Sequence, residues 1–215
     1  MKDIAIYGAG GFGREILTLI QDINRVSGSW NIIGFFDDGH KKDELVNGHV
    51  VLGNIDDLNS WDKQLAVVVA NGDPLIKRKI VGKIDNSKVF FPTLIHPTAI
   101  IGDTNYVSFG KGCIICAGNI ITTNICFHDF VTLNLACTVG HNAIIGNYTS
   151  IMPAVNISGE VTVGDAVYLG TGVKIINRIT VGDNVVVGAG AVIAKNLTSD
   201  CTAVGVPAKP IKFNK

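Results

Sequence analysis

The sequence predicts two parts of different class: an α/β half-Rossmann domain over residues 1–95 and a parallel β-helix of six-residue repeats over residues 96–215. Three observations carry this reading. From Ile101 to Ile193 an apolar residue recurs at every sixth position with only Asn119 and Thr149 polar, and a short fixed period marks a solenoid. A second column, two residues behind the first, is apolar throughout except at Asp103. Residues 2–36, by contrast, read as strand, glycine loop, helix and strand.

The elements of the first part follow in order. Lys2–Tyr7 is a short apolar strand, and Gly8-Ala9-Gly10-Gly11-Phe12-Gly13 after it matches G-x-G-x-x-G. Arg14–Ile23 has helical periodicity, with Ile16, Leu19, Ile20 and Ile23 on one stripe. Asn31–Phe36 is a second strand ending in Asp37-Asp38, and Leu65–Ala70 a third ending in Asn71-Gly72-Asp73. A helix at Leu75–Ile84 and a strand at Lys88–Phe91 complete the β-α-β pattern. A glycine loop that opens a helix can present backbone N–H groups to a phosphate. The acidic pair is placed to meet a ribose or base hydroxyl. A dinucleotide fold needs two mononucleotide halves and this stretch supplies one, which favours a single nucleotide, or a nucleotide linked to a small sugar, over NAD. His40 and His49 fall in a polar loop and read as solvated surface; Pro92–Pro97 reads as the passage between domains, with His96 a connector.

In the second part, alternation along a strand puts the two apolar columns on one inward face. Three hexads close one coil, so residues eighteen apart stack. Gly110, Gly140, Gly146, Gly164, Gly170, Gly182 and Gly188 all fall three after the first column, where a sharp turn with positive φ is expected. Cys113-x-x-Cys116 has the spacing of a metal or redox motif. The register instead puts Cys113 and Cys137 in the core, places Cys116 and Cys126 outward or at corners, and leaves no second such pair, so no metal site is expected. His141 follows Gly140 on an outer corner. His128-Asp129, thirteen residues earlier, belongs to another face, and adjacent residues on a strand point apart, which weakens it as a dyad.

Composition narrows the partners. Eighteen basic and eighteen acidic residues cancel, and no basic stripe favours nucleic acid. No apolar run has membrane-spanning length, so no membrane is expected. The start, MKDIAIYGAG, lacks a signal-peptide pattern, so a cytoplasmic protein is expected.

Together, GAGGFGRE at 8–15, FFDD at 35–38, LIHPTAIIG at 94–102, TVGHNAIIGNYTSIMPAVNISG at 138–159 and GVPAKPIK at 205–212 resemble a bacterial family of hexapeptide-repeat sugar acyltransferases. It contains the sialic acid O-acetyltransferases and the nucleotide 4-amino-sugar N-acetyltransferases. The resemblance covers nearly the whole chain; GVPAK alone identifies only the wider superfamily of acyltransferases. It implies a left-handed β-helix, a homotrimer, acetyl-CoA as donor in a groove between subunits, and His141 as general base. Acceptor contacts, to a nucleotide-activated sugar or a sialic acid, carry over to Gly10, Gly11, Phe12, Asp37, Asp38 and Gly72. Donor contacts carry over to the region of Ser150, Gly159, Thr171 and Ala189. Two positions depart from the family pattern. Asn142 stands after the base where Asp or Glu is usual, and Ser150 where some relatives carry a second histidine.

The reaction implied is direct attack of the acceptor on the thioester, with backbone N–H groups, Gly159 among the candidates, stabilising the oxyanion. Asn142 supports imidazolium less than a carboxylate does. An amine acceptor is nucleophilic once neutral, so N-acetylation of a 4-amino nucleotide sugar is the first expectation and sialic acid O-acetylation the second. A non-catalytic sugar-nucleotide-binding module is the alternative from another class, and an NAD-dependent oxidoreductase a third.

Overall fold

The protein is described by a computed structural model covering residues 1–213, and it divides into two compact units, Met1–Pro92 and the residues from Thr93 onward. The division falls three residues before the sequence-based boundary. The reason is that Leu94–Ile95 pairs in parallel with Ile114–Ile115, so the supposed linker is already a rung of the solenoid. His96 belongs to that rung as well: its Nδ1 accepts the Thr98 N–H at 3.0 Å.

The first unit is a six-stranded sheet. Its elements are β1 (Lys2–Tyr7), α1 (Gly11–Ser27), β2 (Trp30–Phe36), β3 (Leu45–Val46), β4 (His49–Gly53), α2 (Ile55–Asn59), β5 (Leu65–Val69), α3 (Pro74–Lys83) and β6 (Val89–Phe90), in the order β3-β4-β2-β1-β5-β6. All neighbours are parallel except the β3–β4 hairpin. The hairpin and α2 fill a stretch where the sequence shows no periodicity. Asn54 and Asp57 build a capping box that starts α2, satisfying N–H groups a short helix leaves open. Ile16, Leu19 and Ile20 of α1 are buried, as their stripe predicts. From central β1 the chain moves to β2 on one side and later to β5 on the other. The loops after β1 and β5 therefore flank a topological switch point, where open α/β sheets bind ligands.

The second unit stacks three sheets. The first face holds Leu94–Ile95, Ile114–Ile115, Thr132–Leu133, Ser150–Ile151, Tyr168–Leu169, Val186–Val187 and Cys201–Val204, with Lys209–Phe213 added antiparallel. The second face runs from Ile100–Ile101 to Val192–Ile193 and the third from Val107–Phe109 to Thr180–Val181. From Val107 to Ile193 partners lie eighteen apart, as in Thr138 with Asn156. The end coils differ. Ile101 pairs with Ile121, twenty residues on, so it stands in the second column rather than the first, and Asp103 is exposed. Val187 pairs with Ala203, sixteen on. Both inward columns form one apolar core. Its two polar members are satisfied, as buried polar groups must be. Asn119 Nδ2 donates to the carbonyls of Cys116 and Leu133 while its Oδ1 accepts the Cys137 N–H; Thr149 Oγ1 donates to the Gly164 carbonyl and accepts the Val167 N–H.

One expectation about the corners is overturned. The glycine column does not adopt positive φ. That conformation falls two residues later, at the sixth hexad position, on Asn124, Asn142, Asn184, Gly172 and Gly190, and even on Phe130 and Tyr148. The glycine column answers to space instead. A Cβ on Gly140 would lie 2.7 Å from the Gly159 backbone nitrogen, and one on Gly170 the same distance from that of Ala189.

The cysteines are all free among the described residues. Cys113 and Cys137 are in the core as expected. Cys116, expected outside, is buried too, and Cys126 is half-buried on the third face. Burial pushes the Cys137 thiol up to about 11, which suits a core residue and disfavours a thiolate.

Candidate functional site

Each face joins the next at a corner, and the three corners differ. His141 stands on the corner between the second and third faces, exposed, at the fifth hexad position. Its Nδ1 lies 2.9 Å from the Asn142 amide oxygen. An amide oxygen only accepts, so with this pairing Nδ1 carries the proton and Nε2 keeps its lone pair. Asn142 sits at φ 60°, a conformation asparagine tolerates better than most residues. The next coil places Gly159 directly against the ring: a Cβ there would be 2.5 Å from His141 Nε2. The bare backbone of Gly159 is what gives the imidazole its seat.

Of the other residues carried over as donor contacts, Thr171 and Ala189 stack eighteen apart on the corner between the first and second faces, both exposed. The structure thus unites His141, Asn142 and Gly159 on one corner and sets Thr171 and Ala189 on another, with the second face between. Ser150 shares neither corner. It lies in a strand of the first face, paired with Thr132 and Tyr168, and is buried. The second face carries a chain that sequence reasoning missed: Lys174 Nζ donates to Asn156 Oδ1 and Asn156 Nδ2 to Thr138 Oγ1. Its eighteen-residue spacing is the signal that could have found it.

The corner between the third and first faces is laced shut. Lys111 N–H donates to Asp129 Oδ1, Asp129 N–H to Asn147 Oδ1, Asn147 N–H to Asp165 Oδ1, Asp165 N–H to Asp183 Oδ1, and Asp183 N–H to Ser199 Oγ. Each side chain caps the backbone of the coil before it. Asp129 is therefore occupied in this ladder, which explains the His128-Asp129 pair without catalysis.

In the first unit the glycines of the motif have different reasons. A Cβ on Gly8 would meet the Ala70 carbonyl at 2.8 Å, and one on Gly13 would overlap the Gly8 carbonyl. Gly10 and Gly11 face nothing within 4 Å. The outer two permit tight packing of strand and helix, while the middle pair leaves the backbone open to approach. Helix α1 has no side-chain N-cap and no acid in its first turn, and the Asp37 carboxylate, bonded to the Ala9 N–H, lies near its N-terminus. Gly72 lies half-buried in the loop after β5.

The acidic pair divides its labour. Asp37 Oδ2 accepts the Ala9 N–H at 2.7 Å, and its Oδ1 accepts the N–H groups of Gly39 and His40 and lies 3.0 Å from His40 Nδ1. These contacts tie Asp37 to the glycine loop and the turn that follows it, and Oδ2, with one hydrogen bond, keeps an open acceptor position. Burial opposes its ionisation, but the Ala9 N–H, the His40 side chain and the Gly39 N–H outweigh burial and hold its carboxyl below the usual range. Asp38 Oδ1 accepts from Tyr7 Oη and the Ile55 N–H, and its other oxygen has no partner among the described residues. Burial and then the Asp38 bond push the Tyr7 phenol up, so it stays a donor. His40, which reads from sequence as solvated surface, is part of this network, and His49 opens β4 with its ring edge-on to Phe35.

Comparison with known proteins places this chain in a class. Residues 3–84 match the PglD N-terminal domain and residues 160–195 the bacterial transferase hexapeptide (six repeats). The chain belongs to the hexapeptide-repeat sugar acyltransferases that pair these two domains. It is 31% identical over 166 residues to GDP-perosamine N-acetyltransferase of Escherichia coli O157:H7, covering 75% of this chain and 72% of that one. Among solved structures it is similar to the acetyltransferase domain of PglB from Neisseria gonorrhoeae FA1090 in complex with acetyl coenzyme A, at 31% identity, 98% and 99% coverage and TM-score 0.88. It is also similar to PerB from Caulobacter crescentus in complex with CoA and GDP-perosamine, at 28% identity, 99% and 98% coverage and TM-score 0.86. Among the described residues there is no group of side chains that could hold a metal, and no helix long and apolar enough to cross a membrane.

Proposed function

We propose that this enzyme transfers the acetyl group of acetyl-CoA to the amino group of a nucleotide-linked 4-amino sugar, with His141 as general base. One observation carries the proposal: the imidazole is seated on Gly159 with Nδ1 engaged by Asn142, which leaves Nε2 as a proton acceptor on an exposed corner. The acceptor nitrogen attacks the thioester carbon, and Nε2 takes the N–H proton as the C–N bond forms. The oxyanion collapses, the C–S bond breaks, and the CoA thiolate takes the proton back from the imidazolium. The products are the acetamido sugar and free CoA, with no acyl-enzyme.

The asparagine supports this choice of acceptor. A neutral amide stabilises imidazolium less than a carboxylate, and a neutral amine asks less of its base than a hydroxyl does. The open glycine loop of Gly10, Gly11 and Phe12, with Asp38 and Gly72, is the proposed acceptor site, and the name of the Escherichia coli relative supports a GDP-linked amino sugar. A homotrimer would bring the His141 corner of one subunit against the Thr171–Ala189 corner of its neighbour, with the donor between them. A cytoplasmic enzyme would meet both substrates where they are made.

The test is release of free CoA from acetyl-CoA with GDP- and UDP-linked 4-amino sugars and with sialic acid. Release with the amino sugars is expected. Release only with the hydroxyl acceptor would overturn the amine reading, and solution mass decides the trimer.

A further inference from the structure

We infer that Glu160 supplies the carboxylate that Asn142 lacks. It is a positioning residue, acting on the reaction only through His141, by stabilising the imidazolium that forms when Nε2 takes the proton of the acceptor amine. The inference rests on the reading of His141 as general base and adds to it one residue from the next coil.

Glu160 stacks eighteen residues after Asn142, on the corner between the second and third faces. Its N–H donates to the His141 carbonyl at 2.8 Å, which fixes the two rungs against each other. The imidazole leans toward this next rung: a Cβ on Gly159 would lie 2.5 Å from Nε2 and 2.6 Å from Cε1. Glu160 follows Gly159, and consecutive Cα atoms are about 3.8 Å apart, so its Cα stands within about 8 Å of Nε2. The carboxylate has one partner among the described residues. Its Oε2 accepts from Arg178 Nε at 3.1 Å, and the side chain is 46% exposed. Arg178 belongs to the coil beyond, where its N–H donates to the Gly159 carbonyl. On the laced corner, by contrast, Asp129, Asp165 and Asp183 accept backbone N–H groups of their own column. Glu160 caps no backbone group among the described residues, so the turn does not use its charge.

Charge runs along this corner in order. The neutral Asn142 is beside the imidazole, the anion Glu160 is one coil on, and the cations Arg178 and Lys195 lie beyond it. The negative charge is therefore nearer His141 than the positive ones are. Asn142 holds the tautomer through Nδ1, but an amide carries no charge and does little for imidazolium. A carboxylate several ångströms away still acts on it, because Coulomb energy falls only as the inverse of distance. Two tasks that a single acidic neighbour of the base would combine, orientation and charge, are divided between two coils.

The experiment measures kcat and both KM values with acetyl-CoA and a GDP-linked 4-amino sugar. The proteins are the wild type, Glu160→Gln, Arg178→Met, His141→Ala, and Glu160→Gln combined with His141→Ala. Glu160→Gln should lower kcat about three- to tenfold, with both KM values and the urea midpoint nearly unchanged. Arg178→Met breaks the same ion pair but leaves the carboxylate, and should keep kcat at or above that of the wild type. A merely structural ion pair would cost the same rate in both variants. In the His141→Ala background, Glu160→Gln should leave the residual turnover as it is, because the imidazolium it serves is gone. An equal loss in Arg178→Met, or a further loss on top of His141→Ala, overturns the inference. Lost turnover in His141→Ala with full turnover in Glu160→Gln overturns the inference and leaves the base in place. Turnover retained in His141→Ala overturns the base and the inference with it.

Discussion

Two corners of the same β-helix, built from the same hexad, are finished in opposite ways. Between the third and first faces, Asp129, Asn147, Asp165 and Asp183 each accept a backbone N–H from the coil before, and the corner is stitched from Lys111 to Ser199. Between the second and third faces, the same positions carry Thr123, His141, Gly159 and Asn177, and His141 instead meets its neighbour Asn142. The backbone path supplies equivalent positions, and the side chain decides whether each is tied to the next coil. His141 is available because its coil does not need it as a staple.

The same substitution should therefore harm different things on the two corners. Gly146→Ala, on the stitched corner, would drive a Cβ into the Gly164 backbone and to 2.5 Å from Asp165 Oδ1. A loss of about 3 kcal/mol in urea unfolding is expected, because backbone cannot step aside. Gly159→Ala, on the open corner, has the His141 ring as its nearest obstacle, a side chain that can move. Stability should hold within about 0.5 kcal/mol while kcat falls about 10- to 100-fold, because a displaced base costs rate rather than fold. Equal loss of stability in both variants would erase the distinction.

Smaller changes sharpen it further. Asp165→Ala removes the acceptor for the Asn147 N–H and side chain, and about 1–2 kcal/mol of stability should go with it, read as a lower urea midpoint. Turnover per folded molecule should stay near that of the wild type. Asn142→Asp should have the mildest effect, since aspartate also tolerates positive φ. A carboxylate beside Nδ1 stabilises the imidazolium formed as the proton is taken, so kcat should rise severalfold, and a lower kcat with the fold intact would contradict the pairing.

How far the sequence alone reaches differs between the two parts for a physical reason. The hexad register recurs so often that by itself it places the core columns, Cys113, Cys137 and the outer position of His141. It misjudges the corners because glycine serves two purposes. The column with most glycines avoids collision with the next coil, whereas positive φ falls on Asn142 and its equivalents. Sequence shows that a side chain is absent but not what it would have struck. In the first unit, β3, β4 and α2 are too short to show a period, so no pattern announces them. Asp37 has the spacing of a ribose ligand, yet its four hydrogen bonds reach back to Ala9 and forward to Gly39 and His40, contacts no spacing rule connects.

The most direct test is the turnover of His141→Ala, on the open corner, with acetyl-CoA and a GDP-linked 4-amino sugar at pH 7. A general base on that corner predicts a fall in kcat of about 10²- to 10⁴-fold with the urea midpoint unchanged. Turnover within a few-fold of the wild type would remove His141 as the base and leave the open corner without a function.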